Sequence, residues 1–270
     1  MLEADKEFAG SIPESYDRHM VPMIFEPYAV DLARRAASFS PSSVLETAAG
    51  TGVVVRAMTN KLAPDTRYVA TDLNQAMLDY ARSQQPSDSR VQWRQADALD
   101  LPFEDASFDV VCCQFGAMFF PSRSAAYREA KRVLKPGGRF LFSVWDRIEE
   151  NVFADEITTA LAEMFPDDPP RFLARTPHGY YDKDLIRSDL ADAGFSHVEI
   201  DTLAEESSAP SPHIVAVAYC QGTPLRSEIE ARDPGKLDAA TDHATSALAK
   251  RHGTGEVSAK IQAHVIVAMA

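Results

Sequence analysis

A chain of 270 residues with 45% hydrophobic content can bury a full core, so disorder is not expected. Forty acidic residues against 27 basic leave a net charge of −13, which opposes polyanions, and no basic patch stands out to offset it, so no nucleic-acid partner is expected. No run approaches the roughly eighteen apolar residues of a membrane span, and the start MLEADKEFAG lacks the basic and apolar regions of a secretory signal; a cytoplasmic protein without a transmembrane segment is expected.

In chain order, Ser11 to Asp17 and Val21-Pro22 precede an amphipathic helix from about Glu26, with Val30, Leu32, Ala33, Ala36 and Ala37 apolar, stopped by Pro41. Met20, Met23, Phe25 and Tyr28 are either a face packed on a sheet or part of a cover over a ligand. Val44-Leu45-Glu46 reads as a short buried strand that breaks into the small-residue turn Thr47 to Gly52 and opens a helix at Val53. Such a turn lets a ligand approach the backbone, provided Ala48 keeps a negative φ. A dinucleotide fingerprint needs a third glycine where Val55 stands, which disfavours a nicotinamide oxidoreductase.

Arg67 to Asp72 is a second strand ending in an acid, placed to meet the ribose hydroxyls of a nucleoside; as an alternative, Asp72 or Asn74 caps the next helix, whose face carries Met77. Val91 to Asp97 alternates like a third strand, also ending in an acid. Val110 to Cys113 is the fourth, ending at Gln114-Phe115-Gly116. A helix from Ser122 and a Pro-Gly-Gly turn lead to a fifth strand, Phe140–Trp145. Helices Asn151–Phe165 and Asp182–Ala193 follow, then a strand His197–Ala204 and a last strand, Ala259 to Ala268. Between those strands an insertion of about Pro210 to Gly255 holds two or three helices, including Pro212–Gln221 and Pro234–His252. Alternating strands and helices give an α/β doubly wound, mostly parallel sheet with ligand at the carboxyl ends of the strands. Three cysteines, with Cys112 and Cys113 on opposite strand faces, and seven scattered histidines suggest neither a disulfide framework nor a metal.

Glu46 to Gly52, the acids at 72 and 97, Leu101-Pro102-Phe103-Glu104-Asp105-Ala106-Ser107-Phe108-Asp109 and Leu134-Lys135-Pro136-Gly137-Gly138 together resemble a class I S-adenosylmethionine-dependent methyltransferase of the ubiquinone/menaquinone-biosynthesis (UbiE-like) type. Ala48 stands where that motif carries its first glycine. The resemblance implies a seven-stranded Rossmann-like sheet with the last strand antiparallel. It implies S-adenosyl-L-methionine held by Glu46, Ala48, Gly50, Gly52, Asp72, Leu73, Met77, Asp97, Ala98, Gln114 and Phe115. Asp97-Ala98 is the adenine position; simple solvation of a loop acid is the alternative reading. The implied organisation is an arm and lid helix at 1–40, a cofactor-binding core at 41–146, and a C-terminal part at 147–270 of the same domain.

The acceptor expected is a small, largely apolar or aromatic molecule bounded by Phe25, Tyr28, Phe119, Phe172, Tyr180 and Tyr181. Tyr16, His19, His178 and Tyr181 are the candidates for a base, although methyl transfer requires no universal catalytic residue. The competing reading is a non-catalytic S-adenosylmethionine-binding protein that uses the insertion to contact a partner.

Overall fold

A computed structural model describes residue 14 and residues 16–85 and 87–270. The arm residues 1–13 and 15 lie outside the described residues, so the expectation for Ser11 to Ser15 is described only at Glu14. The chain divides into two compact units. One comprises Glu26–Val144, Tyr181–Leu203 and Ala263–Ala270; the other comprises Met1–Phe25, Trp145–Tyr180 and Ala204–Gln262.

The first unit is built on the sheet. Its strands are β1 (Ser43–Glu46), β2 (Arg67–Asp72), β3 (Val91–Gln95), β4 (Phe108–Gln114) and β5 (Leu134–Trp145), joined by parts of β6 (Ser196–Ala209) and β7 (Val257–Met269). The order is β3-β2-β1-β4-β5-β7-β6. Strands β1 to β5 pair in parallel. The last strand is antiparallel: Asp146 N–H donates to the Gln262 carbonyl and Ala270 N–H to the Gly138 carbonyl, so one chain ascends as the other descends.

Alternation along the buried strands decides which helices cover which face. Val44, Tyr68, Ala70, Val110, Cys112 and Leu141 share a core with Ala29, Leu32, Ala33 and Ala36 of helix α2 (Glu26–Ser38) and with Val54, Val55 and Met58 of α3 (Val53–Thr59). The opposite parity, Phe140 and Phe142, packs on Tyr127, with centroids 5.4 and 5.3 Å away. Tyr127 belongs to α5 (Arg123–Val133), capped by Ser122; α4 (Gln75–Gln84) lies between β2 and β3 in the chain. Helices on both faces complete the doubly wound arrangement.

The second unit holds a π-type helix α1 (Tyr16–Phe25), α6 (Val152–Met164), α7 (Phe172–Arg175) and the inserted helices α9 (Pro212–Gln221), α10 (Leu225–Arg232) and α11 (Leu237–His252). Buried Glu156 on α6 accepts from His252 Nε2 at 2.8 Å and pairs with Arg251 at 3.1 Å, tying α6 to α11. Helix α8 (Lys183–Asp192), capped by Asp182, belongs to the sheet unit.

Several boundaries differ from the sequence reading. The third strand stops at Gln95, because Asp97 turns back on itself with Asp100 N–H bonded to its carbonyl at 3.1 Å. Strand β5 starts at Leu134, with a pairing irregularity between Phe108 and Val110 that absorbs the Pro-Gly-Gly segment. The helix expected from Pro234 starts at Leu237, and α10 precedes it. Strands β6 and β7 run longer than expected because each supplies the other with backbone partners. Among the described residues no helix is long and apolar enough to cross a membrane.

Candidate functional site

The four residues of β1 are all buried, and the turn that follows alternates through the left-handed region, with φ of 54° at Ala48, 55° at Gly50 and 82° at Gly52. Ala48 therefore does not keep the negative φ expected of it. The turn needs three left-handed residues in alternation, and the alanine accepts a cost of about 1–2 kcal/mol that glycine avoids. Neighbouring strands hold it there: Thr47 N–H donates to the Cys112 carbonyl and Ala49 N–H to that of Thr71, both at 2.9 Å. The two glycines do different work. A Cβ on Gly52 would stand 3.2 Å from Ala81 Cβ and 3.3 Å from the Trp93 ring, whereas one on Gly50 would meet nothing within 4 Å. Gly50 thus faces open space. Between them, the Thr51 hydroxyl oxygen is buried with no hydrogen-bond partner among the described residues.

Asp72 ends β2 and closes on the turn. Its Oδ2 accepts from Gly50 N–H and its Oδ1 from Asn74 N–H, each at 2.8 Å. Burial pushes its pKa up, opposed by those two backbone donors and by further bonds from Leu73 N–H and the Asn74 side chain. It does not cap α4: the residue at that position is Asn74, whose side chain makes no capping bond either. The next residue, Leu73, is 47% exposed, a large apolar side chain beside a buried acid, while Met77 is buried. Asp97 is exposed and its Oδ1 accepts from Leu99 N–H at 2.9 Å; Ala98 beside it is half-buried.

Beneath the turn, the Glu46 carboxyl is buried between Ala70 and Cys112, its register partners, and accepts from the Tyr68 hydroxyl at 2.5 Å. Burial pushes its pKa up to about 8, with the Tyr68 bond opposing the rise. At the end of β4, Gln114 is buried, and Phe115 takes φ 51° with its N–H on the Ser143 carbonyl at 3.0 Å. The Phe115 ring meets Tyr28 edge-on at 5.4 Å. Phe119, in the short 3₁₀ turn Ala117–Phe119, is half-buried.

Comparisons with known proteins bear on this geometry. The profile of a family described as Methyltransferase domain matches residues 45–142, from within β1 through most of β5. Over 179 residues the chain is 30% identical to demethylmenaquinone methyltransferase of Clavibacter sepedonicus, covering 63% of this chain and 72% of that one. The chain belongs to the class I S-adenosylmethionine-dependent methyltransferases. It is also 32% identical over 167 residues to the ubiquinone/menaquinone biosynthesis C-methyltransferase UbiE of Ectopseudomonas mendocina, covering 57% of this chain and 65% of that relative, and it is UbiE-like. Among solved structures, the YcgJ protein of Bacillus subtilis superposes with TM-score 0.59 at 20% identity over 90% of this chain and 98% of that one. Phosphoethanolamine N-methyltransferase 2 of Haemonchus contortus, in complex with S-adenosyl-L-methionine, gives 0.60 at 16% identity over 100% and 60%. At those identities the likeness carries the fold alone.

The turn of this methyltransferase fits that cofactor. Open space over Gly50, the buried Thr51 hydroxyl and the buried carboxyl of Asp72 beside it suit a ligand bearing ribose hydroxyls and an amino-acid end.

The acceptor and base candidates fall in both units. In the sheet unit are Tyr28, buried with its hydroxyl 3.3 Å from the Leu203 carbonyl, Phe119, and Tyr181, which is 43% exposed. In the helical unit, Tyr16 stacks on Phe25 at 5.1 Å, Phe25 meets Trp145 at 5.9 Å, and Trp145 meets His178 at 6.0 Å. His178 Nδ1 lies 2.9 Å from the Asp146 carbonyl, which only accepts, so Nδ1 carries the proton; burial lowers the pKa to about 4 and keeps the ring neutral. Burial and Arg18 lower that of His19. Phe172 and Tyr180 are buried.

Two features went unread in the sequence. Gly116 has no room for a Cβ, and its only signal was a glycine directly after an apolar strand. Leu101 to Asp109 is held by Arg132, which donates to the Leu101 and Phe103 carbonyls at 2.8 and 2.7 Å and to Asp105 at 2.8 Å. Its most family-like stretch is thus structural, clamped from α5.

Proposed function

We propose that this methyltransferase methylates a small, largely apolar or aromatic molecule, with a hydroxylated ring of the quinone-precursor kind as the first class to test. The observation that carries the reading is the run of apolar side chains following the carboxyl end of β4: Phe115 against Tyr28, then buried Ala117 and Met118 and half-buried Phe119, next to the strand that carries the glycine turn. The printed names of the two relatives, which concern quinone biosynthesis, support the same class. The cofactor supplies an electrophilic methyl on a sulfonium. The chain's part is placement: Asp72 fixes the ribose end, Gly50 gives the backbone approach, and the apolar residues keep water from the reacting atoms.

Incubation with S-adenosylmethionine and a panel of hydroquinones, phenols and indoles, against charged amines and carboxylates as controls, tests this. Release of S-adenosylhomocysteine with a methylated ring product is expected. Tight cofactor binding with no product from any member of the panel would instead favour a binding protein.

A further inference from the structure

Glu46 is a carboxylic acid with little to stabilise its charge. It is 1% exposed, and the Tyr68 hydroxyl is the one hydrogen-bond donor to its side chain among the described residues. The titratable or charged groups facing it are Tyr68 and Asp72 from β2, Cys112 and Cys113 from β4, and Arg56 from α3. Burial raises the two thiols and the phenol well out of the neutral range, and Asp72 opposes the Glu46 charge while Arg56 favours it. The next residue, Thr47, is buried and opens the turn, and Asp72, which accepts from Gly50 N–H at 2.8 Å, already bears on the charge of Glu46, so a charge that a ligand brings over Gly50 bears on it too.

We infer that Glu46 distinguishes the methyl-loaded cofactor from the demethylated one, losing its proton when the sulfonium cation binds and regaining it when the methyl has gone. This rests on the cofactor reading above. The balance is simple. Binding the cation converts the carboxylic acid to carboxylate and one proton passes to solvent; transfer breaks the methyl–sulfur bond, the electron pair stays on sulfur, the cation disappears, and the carboxylate takes a proton back. The α-amino and α-carboxylate groups are common to both ligands, so the difference between the two isolates the sulfonium.

Isothermal titration of the full chain in buffers of different ionisation enthalpy reads that proton directly. If the cation lowers the proton affinity of Glu46 about tenfold from its pKa of about 8, S-adenosylmethionine should release about half a proton at pH 7.5 and about a tenth at pH 6. S-adenosylhomocysteine should release none beyond the share of its amino group, which both ligands have. In Glu46→Gln the extra release should vanish, and the preference for the methylated cofactor should fall by about threefold at pH 7.5, approaching tenfold only near pH 9. Equal release for both ligands in the native chain overturns the inference, and that comparison needs no variant. So does an extra release that survives in Glu46→Gln, which would assign the proton to Asp72. Absence of binding heat and of thermal stabilisation by either ligand would instead overturn the cofactor reading, and this inference with it.

Discussion

Gly116 and Ala48 meet so closely that a Cβ on Gly116 would stand 2.5 Å from the Cβ of Ala48 and 2.8 Å from Cys113 Sγ. Neither neighbour is the end of a flexible chain, so the contact fixes how the end of β4 lies against the glycine turn. Gly116→Ala should destabilise the fold by about 2–3 kcal/mol and lower the melting temperature by several degrees, with cofactor-induced stabilisation reduced. A thermal scan with unchanged midpoint would show that the two segments separate freely.

Ala48→Gly should act the other way. Relief of the left-handed φ of 54° gains about 1–2 kcal/mol, and the extra freedom of glycine in the unfolded chain returns part of it. A net gain of about 0.5–1 kcal/mol in urea unfolding is expected, with cofactor affinity unchanged or better. A loss of stability would mean that the alanine methyl packs more tightly than its strain costs.

Asp72→Asn keeps the shape but turns one acceptor into a donor, facing the Gly50 or Asn74 N–H and any ribose hydroxyl. S-adenosylmethionine binding should weaken by about 1.5–3 kcal/mol, the range for hydrogen bonds to a charged group, while the far-ultraviolet circular dichroism is kept. NAD should produce no thermal shift in either protein.

Asp109 is the acid of a staple at the amino ends of the strands. Its carboxyl accepts from the Ser42 and Ser43 hydroxyls at 2.7 and 2.8 Å, from both their N–H groups, and from Lys135 at 2.8 Å. Burial pushes its pKa up, but the Lys135 and serine bonds outweigh burial and hold it well below the usual carboxylate range. A depressed folded-state pKa contributes stability that is present above about pH 4 and lost as pH falls below it. Asp109→Asn should therefore cost about 2 kcal/mol at pH 7, with the gap to the parent beginning to narrow below about pH 4 and continuing to narrow below about pH 3. A gap that stays constant with pH would show that the charge of Asp109 plays no part.

The fold was legible because its strands are short apolar runs bounded by turn residues, and because the acids at Glu46 and Asp72 interrupt apolar sequence where side chains must serve a purpose. The backbone state of Ala48 was not legible, since its φ is set by Thr71 and Cys112 carbonyls contributed by other strands. Nor was the service of Arg132 to Leu101, Phe103 and Asp105: a lone arginine near a helix end has no local pattern that names distant carbonyls as its partners. Glu46 shows the boundary well. Its position could be read, but the hydroxyl that meets it comes from Tyr68, two strand positions lower on the neighbouring strand.

The order of the sheet also carries a consequence for synthesis. Strand β7 is made after β6, yet it lies between β5 and β6. Until the ribosome has delivered it, β6 has no strand beside it, and its row of backbone donors and acceptors is open to any other extended chain. Glu199, Glu205 and Glu206 along β6 put like charges on that nascent edge, Asp201 being paired with Arg35. Two unfinished copies brought together there would repel each other until the proper neighbour arrives.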